Sequence, residues 1–357
     1  LRRTLQPGFV FQSLLKIDEM PLANSSTVLI LDGAEMLENR IEIQLRSESM
    51  PRHTNDPISD QRQEKKHPIS PKRKPPQYKH LLKPVRLPSD EMVPGLGQGT
   101  WYMGEDPRRH QTELAALKLG IDLGMTLIDT AEMYGDGRSE LLVGEATAGQ
   151  RQRVFLVSKV LPQNAGRERA KLACENSLKR LRTDCLDLYL LHWRGPVPLE
   201  ETVEVFNELV DEGKIRYWGV SNFDLADMQE LVDIPGGEKV ATNQVLYNLT
   251  HRGIEWDLLP WCRERRIPIM AYSPFDHGWL KDQALEDLAL RFQVTTFQLA
   301  LAWVLQKENV IAIPKASEPH HVAANRDALK IQLGARDLEE LDRIFPPPNH
   351  AIPLEVI

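Results

Sequence analysis

The chain has 357 residues, with a charged content of 27%, a hydrophobic content of 41% and a formal net charge of −7. That length is enough for one large domain or two small ones with a real core. The acidic balance gives no general reason to expect nucleic-acid binding, and no apolar run approaches the ~18 residues that span a bilayer, so neither a nucleic-acid nor a membrane partner is expected.

In chain order, the N-terminus lacks the basic start, apolar block and small-residue cleavage site of a secretory signal. Residues 10–45 carry some helical pattern. Residues 51–86 hold ten Lys/Arg against three Asp/Glu, with seven prolines, densest in "KKHPISPKRKPPQYKH". Such a segment lacks the apolar surface to offset its ordering entropy. The expected organisation is therefore a disordered or extended segment over 1–85, basic and Pro-rich in its second half, and a folded domain over 86–357. The chain begins with Leu1 and not Met, which an over-extended reading frame or a fragment explains as well as a functional extension does. Cys174, Cys185 and Cys262 are far apart and show neither metal spacing nor a disulfide framework. They read as packing residues in a reducing, cytoplasmic setting, and no metal site is expected.

From Leu87 onward short apolar runs alternate with amphipathic stretches. The runs lie at 93–100, 126–130, 154–160, 186–193, 215–221, 241–247, 267–273 and 310–314. Helical periodicity occupies 111–123, 167–181, 199–212, 225–232, 254–265 and 296–306, and Ser139–Glu140 open a further helix. Apolar strands joined by helices imply a parallel sheet buried on both faces. Eight such units in this length predict an α/β fold, a (β/α)8 TIM barrel. The segment "VRLPSDEMVP" predicts an N-terminal β-hairpin that plugs the barrel floor. A doubly wound open sheet is the alternative, but "GLGQGT" leads to Trp101 and not directly into a helix, as a dinucleotide fingerprint would.

In a barrel the catalytic groups sit at the C-terminal ends of the strands. Here those ends carry Thr100 and Trp101, Asp129 with Tyr134 just beyond, Lys159, His192 and Trp193, Ser221 and Asn222, Gln244, Tyr272 and Ser273, and Lys315. Any one of these is unremarkable alone; a strand-end lysine is usually solvated and a lone histidine usually a satisfied core group. Asp, Tyr, Lys and His on one rim suit carbonyl reduction. Tyr134 is placed to give the proton, but a free phenol titrates near 10. Lys159 as a cation lowers that value, and Asp129 pairs with the lysine. His192 holds the carbonyl oxygen, and Trp101 and Trp193 wall the substrate pocket. No side chain supplies a hydride, so a nicotinamide cofactor is required.

The stretches "GLGQGTW", "LIDTAEMYG", "LVSKV", "LYLLHW", "WGVSNF", "TNQVLYN", "IMAYSPF" and "AIPKAS" together resemble the aldo-keto reductase superfamily, in the family's order, over roughly residues 87–348. The resemblance implies a tetrad of Asp129, Tyr134, Lys159 and His192, with NADPH as hydride donor for small aldehydes or ketones. It implies that Tyr272 stacks on the nicotinamide, that Ser221, Asn222 and Gln244 hold its carboxamide, and that Ser273 contacts the pyrophosphate. Lys315 and Asn325 match the 2′-phosphate and adenine contacts, and Thr100 and Ser317 are further candidates. Two departures matter. The arginine expected six residues after Lys315 is His321, and the serine after the lysine is Ala316. A histidine lacks the planar, permanently charged fork that suits phosphate, so the preference for NADPH over NADH is expected to be modest. Short segments after Tyr272 and at the C-terminus predict an open site, as in short-looped bacterial-type members, and a monomer. The alternative is a non-catalytic, nucleotide-binding regulatory subunit of the same fold; a metal-dependent hydrolase is disfavoured because His320 and His321 have no visible partners.

Overall fold

A computed structural model describes residues 74–278, 280 and 282–357. In chain order the elements are β1 (Pro84–Arg86), β2 (Met92–Pro94), β3 (Gln98–Gly99), α1 (His110–Asp122), β4 (Leu127–Asp129), α2 (Arg138–Ala146), β5 (Phe155–Val160), α3 (Arg167–Leu181), β6 (Leu186–Leu191), α4 (Leu199–Asp211), β7 (Ile215–Ser221), α5 (Leu225–Asp233), β8 (Asn243–Leu246), α6 (Leu258–Glu264), β9 (Ile269–Tyr272), α7 (Gln283–Phe292), α8 (Thr296–Gln306), β10 (Val310–Ala312), α9 (Pro319–Asp327) and α10 (Ala335–Ile344). The helical pattern over 10–45 and most of the basic extension lie outside the described residues.

Strands β3 to β10 are parallel and lie side by side in chain order. The sheet closes on itself through parallel bridges from Leu96 to Ala312 and from Gly99 to Lys315. This is the expected (β/α)8 barrel. The hairpin is also as expected: β1 pairs antiparallel with β2, Val85 opposite Val93, and both valines pack with Leu87 against the barrel interior. Glu91 ties this plug to β7 by accepting from Tyr217 Oη at 2.8 Å and pairing with Arg216. Packing begins ahead of the expected boundary at 86. Gln77 donates its backbone N–H to Gln152 at 2.8 Å, Tyr78 packs on the interior cluster, and Lys83 Nζ donates to the Lys307 carbonyl at 2.9 Å.

Two apolar cores follow from the two-residue period of the strands. Leu127, Phe155, Val157, Leu188, Leu190, Met270, Ile311 and Ile313 fill the barrel interior. Their neighbours Ile128, Leu156, Tyr189, Leu191, Ile269, Val310 and Ala312 face the helices. Helix α3 shows the complementary helical pattern, burying Ala170, Ala173, Cys174, Ser177, Leu178 and Leu181.

Three sequence expectations are corrected. The run 93–100 is two elements, because Pro94 has no N–H to continue a ladder and Gly95 passes so close to the Lys83 carbonyl that a Cβ would sit 2.3 Å from it. The helix over 254–265 is a short 3-10 turn, Gly253–Glu255, followed by α6, with Asp257 capping the Leu258 N–H between them. Helices α7, α9 and α10 were not anticipated; Asp282 capping Ala284 and Leu285 is the signal for α7. Among the described residues no single helix is long and apolar enough to cross a membrane.

Candidate active site

Strand parity builds the site. In β4, β5 and β6 the inward residues are Leu127 and Asp129, Phe155, Val157 and Lys159, and Leu188 and Leu190, with His192 next in phase. The apolar layers below therefore stack beneath an acid, a lysine and a histidine at the C-terminal end. Tyr134 arrives from the loop. Its N–H donates to the Ala131 carbonyl at 3.1 Å, and Gly135, Asp136 and Gly137 then take left-handed conformations with φ of 55°, 54° and 85°. At Gly137 the φ of 85° strains any side chain, and a Cβ would lie 2.6 Å from Arg180 Cδ. The turn returns the chain to α2, where Ser139 Oγ bonds the Thr100 carbonyl at 3.0 Å and locks the loop to β3.

Lys159 is fully buried and spends all three ammonium protons: on Asp129 Oδ2 at 2.8 Å, on the Thr130 carbonyl at 3.0 Å and on Tyr134 Oη at 3.0 Å. The other Asp129 oxygen accepts from Gln244 Nε2 at 2.8 Å. Burial works against the lysine's charge, but the Asp129 carboxylate and the Tyr134 phenol outweigh it and hold the ammonium above its usual range. For Tyr134 the expected lowering is reversed. Burial pushes the phenol up; Lys159 pulls it down as anticipated, and Asp129 adds to the rise, so the net direction is upward. The hydroxyl thus keeps its proton through the neutral range. Burial, then the Lys159 charge, push His192 down to about 2, so its imidazole is neutral. Its ring stands edge-on to Tyr134, with centroids 5.8 Å apart. His192 Nδ1 has no partner within the described protein, so nothing there competes for that end of the ring.

A cavity of about 700 Å³ opens above these groups. Of the residues singled out from sequence, Thr100, Trp101, Asp129, Tyr134, His192, Trp193, Ser221, Asn222, Gln244, Tyr272, Ser273, Lys315, His321 and Asn325 line it. Lys159 lies behind Tyr134 and Asp129. Ser317 is buried but is not on the cavity wall, and its hydroxyl has no partner. Thr100 lines the cavity, yet its hydroxyl donates to the Asp129 carbonyl at 2.9 Å. Asn222 and Ser273 stand at strand ends with φ of 58° and 48°, a left-handed region that costs a serine more than an asparagine. Asn222 accepts from Tyr272 Oη at 3.0 Å, holding that ring on the cavity wall. Asn325 is more than nine-tenths buried and its Nδ2 has no partner within the described protein. A cavity of this size whose lining combines aromatic rings, the Lys315 ammonium and the unsatisfied buried amide of Asn325 fits a dinucleotide.

Sequence reasoning missed Met133, Phe275, Phe297, Gln298 and Ile357, which also line the cavity. Phe275 and Phe297 meet edge to face at 5.6 Å. The C-terminal segment adds to the wall of the site: Ile352 packs on Gly253, Glu355 Oε1 pairs with His251 Nδ1 at 2.9 Å, and Ile357 reaches the cavity. Among the described residues no cluster of His, Cys, Asp or Glu is arranged to hold a metal ion.

Comparison with known proteins places this geometry. The aldo/keto reductase family model matches residues 95–345. Methylglyoxal reductase YeaE of Escherichia coli (strain K12) is 51% identical over 281 residues, covering 77% of this chain and 99% of that protein. The glyoxal reductase of Bacillus subtilis (strain 168) is 30% identical, covering 75% and 97%. Among solved structures, an aldo/keto reductase from Klebsiella pneumoniae in complex with NADP and acetate is 52% identical with a TM-score of 0.75, covering 78% of this chain and 100% of that one.

Proposed function

The chain belongs to the aldo/keto reductase family, and from that premise we propose that it reduces small aldehydes and ketones to alcohols with NADPH. The observation that carries this reading is the Tyr134 hydroxyl, 3.0 Å from a buried lysine ammonium and beside a neutral histidine in one cavity.

NADPH supplies the hydride when bound. The rest is the work of the chain. Lys315, Asn325 and His321 line the cavity and would hold the phosphate and adenine side, while Ser221, Asn222, Gln244 and Tyr272, also on its wall, would orient the nicotinamide. Trp101 and Trp193 exclude water from the carbonyl. His192 donates its N–H to the carbonyl oxygen, and Tyr134 delivers the proton that the forming alkoxide takes up. Lys159, held charged by Asp129, stabilises the phenolate that remains.

Small 2-oxoaldehydes are the first substrates to try, because the relatives at 51% and 30% identity are methylglyoxal and glyoxal reductases. A NADPH-oxidation assay over methylglyoxal, glyoxal, simple aldehydes, aldoses and ketones tests the reading. The expected outcome is turnover of short aldehydes above aldoses; no turnover of any carbonyl despite NADPH binding supports a regulatory nucleotide-binding subunit instead. The monomeric state and a reducing, cytoplasmic setting belong to the same proposal. Three buried cysteines support the setting, and a sedimentation or light-scattering mass equal to one chain is the expected result for the state.

A further inference from the structure

Next to the cavity-lining residues Lys315 and His321 lie charges that the sequence motif does not assign. β10 runs through Lys315 into α9, whose N-cap is Glu318. The Glu318 side chain does not cap its own helix. It accepts instead from Arg109 Nη2 at 3.3 Å, across from the start of α1. Arg109 is anchored a second time, 3.8 Å from Glu113, which is itself held by the Gly104 N–H at 2.8 Å. One turn beyond Glu318, His321 faces the cavity, and Asn325 follows a turn later with its buried amide unpartnered.

We propose that Arg109 and Glu318 are a charge pair that sets the preference of this cavity for a 2′-phosphorylated cofactor. The inference rests on the cavity being a nicotinamide-dinucleotide site. Lys315 alone is a point charge, and His321 lacks the guanidinium fork. Arg109 brings a guanidinium fork from the start of α1 to Glu318, at the N-terminus of the helix that carries His321 and Asn325. Its charge is felt at Lys315, whose ammonium is pushed down first by burial and then by Arg109, with Glu113 and Glu105 opposing. Two cations close enough to repel each other make a place for a dianion. Glu318 is the counterweight. Neutralised by Arg109 it does not oppose a phosphate; unopposed, it repels one and can accept a hydrogen bond from a bare ribose hydroxyl, as acidic residues do in NAD sites.

The full chain is titrated with NADP⁺ and with NAD⁺ by tryptophan fluorescence, and kcat/KM is measured with both reduced cofactors. The ratio of NADP⁺ to NAD⁺ affinity is expected to fall roughly ten-fold in Arg109→Gln, to recover in part in Arg109→Lys, and to rise in Glu318→Gln. Opposite shifts in the two neutralising variants are the signature, because loss of packing alone moves both cofactors together. If both variants leave the ratio unchanged, or shift it in the same direction, the pair does not set preference while the reductase reading stands. If the wild-type chain binds neither cofactor, both readings fall.

Discussion

At the scale of single residues, the site depends on where protons sit. Burial holds Tyr134 above the ordinary phenol value of about 10, so the proton it donates stays in place at neutral pH. The alkaline limb of kcat/KM for reduction, which reports the free enzyme, is expected above that value; a limb near neutrality contradicts the assignment. His192 shows the linkage in acid. Its unfolded imidazole titrates near 6.5, whereas the folded one stays neutral to about 2. Below the unfolded value the unfolded chain holds the extra proton, so stability falls as pH falls, by about 1.4 kcal/mol per pH unit for this one group. His192→Asn is expected to shrink the loss in urea midpoint between about pH 7 and about pH 5. Lys159→Met leaves the Asp129 carboxylate buried with one donor, Gln244, and is expected to cost about 3–5 kcal/mol. Adding Asp129→Asn is expected to restore much of the stability and none of the rate. Three tetrad positions, Asp129, Lys159 and His192, were legible in the sequence because each lies at the end of a strand in phase with the barrel interior, and Tyr134 because it follows the β4 end within a glycine-bracketed turn. The net direction of the Tyr134 shift was not, because spacing shows which charges are near but not how deeply a hydroxyl is buried.

At the scale of elements, the two-residue period of the strands sorts every side chain into one of two cores. Seven of the eight barrel strands were legible as short apolar runs, within a few residues at their ends. The first was blurred because Pro94, Gly95 and Gly97 join a hairpin to a barrel strand within one apolar run. Helix α9 was overlooked because "PHHVAANRD" has little amphipathic pattern, and with it went the role of Glu318; the Phe275–Phe297 contact depends on a pairing across the β9–α8 connection that no local pattern shows. The inward face of β7 allows a direct test. A Cβ on Gly219 would lie 2.6 Å from the Thr242 carbonyl oxygen and 2.9 Å from Leu190 Cδ2. The carbonyl belongs to the neighbouring backbone and cannot move cheaply, so Gly219→Ala is expected to cost about 1–3 kcal/mol, read by denaturant unfolding.

For the whole molecule, the barrel has a floor and a mouth, and chain segments outside the eight units finish both. At the floor, residues 74–86 add Tyr78, Lys83 and β1 to the plug. A chain beginning at residue 74 is expected to keep the full-length melting temperature and turnover, while one beginning at residue 87 loses both the hairpin and the Lys83–Lys307 bond and melts lower. At the mouth, Ile357 and the His251–Glu355 pair bring the C-terminal segment to the cavity, a contact invisible to a motif read strand by strand. These features shape the cavity, but the central claim is chemical: Tyr134 is the proton donor of a carbonyl reduction. The most direct test compares wild type with Tyr134→Phe for NADPH oxidation with methylglyoxal, with NADPH binding measured on the same samples. The expected result is unchanged binding with turnover reduced at least ~100-fold. Equal turnover in both proteins contradicts the account.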